Sequence, residues 1–298
     1  MLNTIILNTL PLMPKPLVMV FAKKYIAGAY LKDAVKVTQD FEKVGGFTTI
    51  DVLGEFVTTK ERALHEKAMS LEVLKSAKEN KLGTYLSIKP TSLGLGIDFD
   101  FGYENIFEIV SYAKSLGLFV RLDMENSPYT TLTIDIYKKL RDNGLDNCGI
   151  VIQAYMKRSY DDISSLLSYK PNIRLCKGIY VEDASIAIKD KEEIRTNYKK
   201  LLDLLLENNL KTHIATHDDD LIVYAEKKLK EMSYDKSNYE FEMLLGVRER
   251  RRDTLLKAGH TVRIYVPFGE DWYGYSVRRL NENPDMAGHI FKSIFIKE

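Results

Sequence analysis

The sequence predicts an α/β protein built as a (β/α)8 barrel. Three observations carry this reading. Short β-branched, apolar runs alternate with longer charged, amphipathic runs; the pair occurs eight times at roughly thirty-residue spacing; and the 298-residue chain is near the ~250 residues typical of such barrels. An open doubly wound sheet fits less well, because Gly94-Leu-Gly96 lacks the third glycine of a dinucleotide fingerprint and no strand leads from there straight into a helix. No sequence identity repeats from unit to unit, so the period is architectural.

A helical pattern over residues 25–44 comes first, and Gly45-Gly46 stops it. The first unit pairs a strand at 47–53 with a helix at 59–80, where Thr58 or Thr59 supplies an N-cap hydroxyl. Strand and helix follow at 84–89 and 103–116, at 118–123 and 131–143, and at 149–154 and 160–168. The second half continues with 173–177 and 192–209, 211–216 and 221–230, and 239–245 and 248–258. A last strand at 261–266 leads to a helix carrying Arg278 and Arg279.

Composition narrows the function. The chain is 45% hydrophobic and 29% charged, and 43 basic against 42 acidic residues leave a net charge of +1 with no basic block, so nucleic acid is not an expected partner. Cys148 and Cys176 are the two cysteines; they point to a reducing compartment and to core positions in apolar strands. The first twenty residues are apolar but are interrupted by Pro11, Pro14 and Pro16, which suits neither a signal peptide nor a spanning helix. They read as an apron packed on the domain, with a weak membrane-surface contact as the alternative.

In a barrel of this class the C-terminal strand ends and the loops after them converge on one mouth, where catalysis takes place. In order they bring Asp51 and Glu55, Lys89, Asp123 and Glu125, Gln153, Arg174 with Lys177 and Tyr180, His217 and Asp218, Glu242 and Tyr265. One such residue is more simply a cap or a rim ion pair; eight strand ends together imply an acidic, basic and aromatic pocket. No HExxH, no close His and Cys cluster and no GxSxG is present, so no metal is expected and no serine or cysteine nucleophile. A desolvated Lys89 or Lys177 forming a Schiff base, as in an aldolase barrel, stays open. Beyond the last strand, Tyr275, Arg278, Arg279 and Glu282 fall at i, i+3, i+4 and i+7 and share a helix face. That face is either solvated, with Glu282 pairing to the arginines, or an anion site.

Six ordered motifs resemble the monofunctional proline dehydrogenases: Asp51-Val-Leu-Gly-Glu55, Arg174-Leu-Cys-Lys-Gly-Ile-Tyr180, Ala215-Thr-His-Asp218, Tyr239-Glu-Phe-Glu-Met-Leu-Leu-Gly246, Arg263-Ile-Tyr-Val-Pro267 and Tyr275-Ser-Val-Arg-Arg-Leu-Asn-Glu282. The resemblance spans roughly residues 25–284. It implies a distorted TIM-type barrel with the last helix over the mouth, and an organisation of apron and helix at 1–46, catalytic barrel at 47–284 and tail at 285–298. It further implies FAD-dependent oxidation of L-proline to Δ1-pyrroline-5-carboxylate, by hydride transfer to flavin N5. Electrons would pass to a quinone, from a cytoplasmic protein in peripheral contact with the inner face of the cell membrane.

By the same resemblance, Lys89, Arg278 and Arg279 hold the proline carboxylate through charge-assisted hydrogen bonds of roughly 1.5 to 3 kcal/mol each. Leu175, Tyr265 and Tyr275 wall in the ring, and Glu55 is the gate. Arg174, Asp123 and Tyr180 are the catalytic candidates, with Arg174 near N5. Gln153, Lys177, Gly178, Thr216, His217, Glu242 and Glu282 join them around the cofactor, Gly178 because a residue without Cβ lets backbone approach a flat ring. Two features depart from the family pattern: Glu242 stands where Gln is usual, and the segment after Tyr180 lacks a proline. Hydroxyproline oxidation is the neighbouring alternative, and a bulky Tyr265 argues for proline.

Overall fold

Eight parallel strands close into a barrel in chain order. They are β1 (Phe47–Val52), β2 (Thr84–Ile88), β3 (Val120–Leu122), β4 (Cys148–Gln153), β5 (Ile173–Cys176), β6 (Thr212–Ala215), β7 (Tyr239–Leu244) and β8 (Val262–Phe268). The computed structural model describes residues 24–273. The apron at 1–23, the tail at 285–298, and Tyr275, Arg278, Arg279 and Glu282 with the helix expected over the mouth lie outside the described residues.

Parallel strands need crossovers, and the amphipathic runs supply them: α2 (Lys60–Glu79), α3 (Phe99–Leu116), α4 (Ser127–Asp142), α5 (Ser159–Ser164), α6 (Lys191–Glu207), α7 (Asp219–Glu231) and α8 (Glu249–Lys257). On α6, Tyr198, Leu201, Leu202, Leu205 and Leu206 are buried at helical spacing against the outer face of the strands. Each such side chain contributes about 1.5–3 kcal/mol on leaving water. Side-chain oxygens start the helices: Thr59 accepts from Arg62 N, Asp98 from Phe101 N, Asp190 from Glu192 and Glu193 N, and Asp218 from Asp220 N.

An earlier helix, α1 (Leu31–Glu42), packs against both β1 and β8 and covers the seam where the barrel closes. A buried hydroxyl relay ties it there, Thr38 Oγ1 lying 3.0 Å from Thr48 Oγ1, which donates to Thr84 Oγ1 at 2.8 Å. Tyr25 and Ile26 are buried, and Ala27 N donates to Pro267 O at 2.9 Å. The seam is therefore closed by chain that precedes the first strand. Among the described residues no helix is long and apolar enough to cross a membrane.

Several boundaries differ from the sequence pattern for local reasons. The first helix begins at Leu31, because Lys24 and Tyr25 form a turn and Ala27 N is bonded to Pro267 O of β8 instead of within a helix. α3 begins at Phe99, four residues early, since Asp98 caps it and Gly102 is no breaker. A Cβ at Gly102 would lie 2.7 Å from Leu95 N, so the glycine is there to let backbone pass. β3 begins at Val120 because Leu118 N still bonds Ala113 O, closing the end of α3 around Gly117. The expected helix at 160–168 stops at Ser164, where Ser164 and Ser165 hydroxyls bond back to Tyr160 O and Asp162 O.

Gly102→Ala tests the close passage. Helix propensity alone favours alanine by about 1 kcal/mol, whereas the contact with Leu95 backbone costs typically 1–3 kcal/mol of overpacking. Urea unfolding is expected to show a net loss of stability; a variant as stable as the parent would mean that Leu95 yields at no cost.

Candidate active site

Side chains alternate along a strand, so the register decides what fills the barrel. Val151, Arg174, His213 and Glu240 form one row, and Ala215, Glu242, Arg263 and Phe47 the next. Asp51, Ser87, Arg121 and Gly149 form another. Barrels of this class usually fill with branched apolar side chains. Here Lys89, Arg174 and Arg263 pair with Asp51, Asp123, Glu240 and Glu242, while Arg121, within the field of Glu240 and Glu242, donates to Ile150 O and to Asn172 O and Oδ1. Gly149 makes room, since a Cβ there would lie 2.2 Å from Arg121 Nη1.

At the mouth, Lys89 Nζ donates to Asp51 Oδ1 at 2.6 Å and lies 3.4 Å from Tyr265 Oη and 3.9 Å from Asp123 Oδ2. Asp123 accepts from Ser87 Oγ at 2.7 Å and from Arg174 Nη1 and Tyr265 Oη at 2.8 Å each. Burial alone would lower the Lys89 pKa, but Asp51 and Asp123 outweigh it and raise it, so the amine stays charged. A Schiff-base lysine needs a neutral amine, so the aldolase reading fails at Lys89; Lys177 is 44% exposed and pairs with Asp218 at 3.0 Å. Burial pushes the Asp51 carboxyl up to about 6, against the pull of Lys89.

Below the mouth, Arg174 Nε pairs with Glu242, whose Oε1 lies 2.5 Å from His213 Nδ1. Burial would raise the Glu242 carboxyl, yet Arg174, His213 and Arg121 hold it well below the usual range. Burial also lowers the His213 pKa against Glu240 and Glu242; the neutral ring then carries its proton on Nδ1, facing the carboxylate. The added charge of Glu242 is thus absorbed inside the barrel. Arg263 forks onto Glu240, Nε to Oε2 at 2.6 Å and Nη2 to Oε1 at 3.1 Å. His213, Glu240 and Glu242 bring ligand atoms within 4.8 Å of one another, but both carboxylates already hold arginines, and charge balance within the barrel explains the group.

The remaining expected residues stand in the loops above. Tyr180 sets its ring edge-on to Phe56 at 6.4 Å, and half-buried Glu55 follows β1. Thr216 is buried and accepts from Asp218 N at 3.2 Å, while His217 Nε2 accepts from Leu244 N at 2.9 Å. Gln153 Nε2 donates to Glu125 O at 3.0 Å. Arg174 Nη2 and Gln153 Oε1 are buried and have no hydrogen-bond partner among the described residues. An open guanidinium donor and an open amide acceptor fit the polar edge of a heterocyclic cofactor.

Two expectations are corrected, for Leu175 and Glu125. Leu175 does not wall the pocket: its neighbour Arg174 points inward, so Leu175 points out, fully buried in the layer between strands and helices. Gly178, at φ +112, also has a reason within the chain for its missing side chain, because a Cβ would lie 2.0 Å from the Tyr155 ring. Glu125 is not at the open mouth; it is fully buried and accepts from Thr91 N at 2.8 Å and Thr91 Oγ1 at 2.5 Å. Arg121, His213, Glu240 and Arg263 went unremarked as site residues. Their signal was a charged or imidazole side chain at every second position of an otherwise apolar strand.

A family profile described as proline dehydrogenase matches residues 34–291. Proline dehydrogenase 2 of Bacillus subtilis (strain 168) is 36% identical over 275 residues, 92% of this chain and 90% of that one. Proline dehydrogenase of Deinococcus radiodurans is 32% identical over 277 residues, 92% and 89% of the two chains. The crystal structure of proline utilization A from Bdellovibrio bacteriovorus, inactivated by N-propargylglycine, superposes with a TM-score of 0.83 at 24% identity, and the match covers 89% of this chain and 33% of that one. The chain therefore spans about a third of the proline utilization A protein whose fold it shares.

Glu125 carries a pH signature. Burial pushes its carboxyl up to about 7 from 4.5, against the Thr91 hydrogen bonds and Lys89, with Glu55 adding to the rise. The folded pKa lies above the unfolded one, so its contribution is intact below about 4.5 and is lost as pH rises through about 7. Glu125→Gln cannot ionise. Its stability relative to the parent should rise by about 3 kcal/mol between pH 4.5 and about pH 8 in urea unfolding. A difference that stays flat would show that Glu125 ionises freely in the fold.

Proposed function

This chain belongs to the proline dehydrogenase family, and we propose that it oxidises L-proline to Δ1-pyrroline-5-carboxylate with bound FAD and passes the electrons to a quinone. The observation that carries the site assignment is the cluster of Lys89, Asp123, Arg174 and Tyr265 at the C-terminal strand ends, with Arg174 Nη2 buried and open. Bound there, the flavin supplies a two-electron acceptor for the hydride on the proline carbon beside nitrogen.

The protein's part is binding, orientation and charge. Arg174 and Gln153 would hold the flavin through the open donor and acceptor, with Lys177, Tyr180, Thr216 and His217 in the loops above. Arg174 is held cationic, since Glu242 and Asp123 outweigh burial, so it keeps a fixed positive charge beside the acceptor. Asp123 locks the Arg174 and Tyr265 side chains in one geometry. Lys89 is assigned to the substrate carboxylate, but Asp51 and Asp123 already balance its charge. A carboxylate entering this neutral cluster needs further cations, and Arg278 and Arg279 are assigned that part. Glu55 is the gate, positioned in the loop after β1. Quinone use implies docking at a membrane surface.

Anaerobic titration with proline tests the reading. The purified protein should be yellow, bleach on proline and respond less to hydroxyproline, whose ring hydroxyl meets Tyr265. In Arg279→Lys, which keeps charge but loses the fork, bleaching should need on the order of tenfold more proline. A flavin spectrum that proline leaves unchanged would refute the activity; a parental titration in Arg279→Lys would remove Arg279 alone from the carboxylate site.

A further inference from the structure

The loop between β1 and α2 is held by a hydrogen bond from its own backbone to a buried threonine. Phe56 has φ +53, a left-handed backbone that a bulky residue rarely adopts. Its amide donates to Thr91 Oγ1 at 2.8 Å. Thr91 in turn gives its hydroxyl to Glu125 Oε1 at 2.5 Å and its amide to Glu125 Oε2 at 2.8 Å. Thr91 follows β2, Glu125 follows β3, and both are 0% exposed. Glu125 makes no ion pair among the described residues, so this carboxylate is not part of the barrel's charge balance. A buried carboxyl without a cation is costly, and core packing gives no reason for one. What it does is orient one hydroxyl. Phe56 also sets its ring 6.3 Å from Tyr129 and 6.4 Å from Tyr180, and Gln153 donates to the backbone of Glu125.

We propose that Glu125 and Thr91 are positioning residues that fix the Phe56 backbone and thereby the place of Glu55 at the mouth. They act through the loop and touch no substrate. The proposal rests on the reading of Glu55 as the gate. Because Gln153 and Tyr180 border the same cluster, the loop is set from the side of the pocket assigned to the cofactor.

The test uses the flavin-loaded full chain. Thr91→Val removes the hydroxyl at nearly constant volume, Thr91→Ser keeps it, and Glu125→Gln keeps an acceptor for the Thr91 amide but sets an N–H where the hydroxyl donates. Without proline, amide exchange of the 54–58 segment should quicken on the order of tenfold in Thr91→Val and match the parent in Thr91→Ser. The KM for proline should rise about fivefold or more in Thr91→Val, rise in the same direction in Glu125→Gln and stay within about twofold in Thr91→Ser. Thr91→Ala serves in place of Thr91→Val if the latter does not fold. Parental exchange in Thr91→Val, or a Thr91→Ser protein as impaired as Thr91→Val, overturns the latch. If Glu55→Ala slows flavin reduction while Thr91→Val behaves as the parent, the latch alone is wrong. If Glu55→Ala is itself silent, the gate reading is wrong and the latch falls with it.

Discussion

One carboxylate, Asp123, accepts from Arg174, Tyr265 and Ser87, and from Arg174 the chain of contacts runs to Glu242 and on to His213. Beside it Arg263 forks onto Glu240. Charges taken out of water inside a barrel are tolerable only when each has a partner and its hydrogen bonds are met. Seven of the eight inward charges satisfy that by ion pairs across the barrel, and Arg121 by donating to Ile150 O and to Asn172 O and Oδ1, so barrel closure and charge neutrality depend on each other. A register slip of one residue in any of these strands would turn its inward charge into the apolar layer against the helices.

The same balance shapes the mouth. Lys89 is fully charged but already shared between Asp51 and Asp123, so the pocket is polar without being a strong anion trap. α1 contributes by covering the β8 to β1 seam, a place that the helix after the last strand takes in a regular barrel.

Much of this was legible from sequence, and the limits are physical. The alternation of apolar runs with amphipathic ones identified all eight strands, because burial on both faces and helical periodicity leave different patterns. The mouth residues were legible because polar side chains end those strands. Pairing was not: Arg174 reaches Asp123 across 51 positions and Arg263 reaches Thr48 across 215, and only the register brings them together. Leu175 was misplaced because a motif was read as a contiguous string, whereas a strand sends neighbours to opposite faces. Glu125 looked like a mouth residue because it ends a strand, and its threonine partner lies 34 positions away.

The claim that interior charges hold one another is tested most directly by a double-mutant cycle on Glu240 and Arg263, the forked pair, measured by urea unfolding. Glu240→Leu and Arg263→Met singly should each cost about 3–5 kcal/mol, because each strands a buried charge. The double variant should recover at least about 2 kcal/mol of the summed loss. Single losses that simply add, within about 0.5 kcal/mol, would contradict the account.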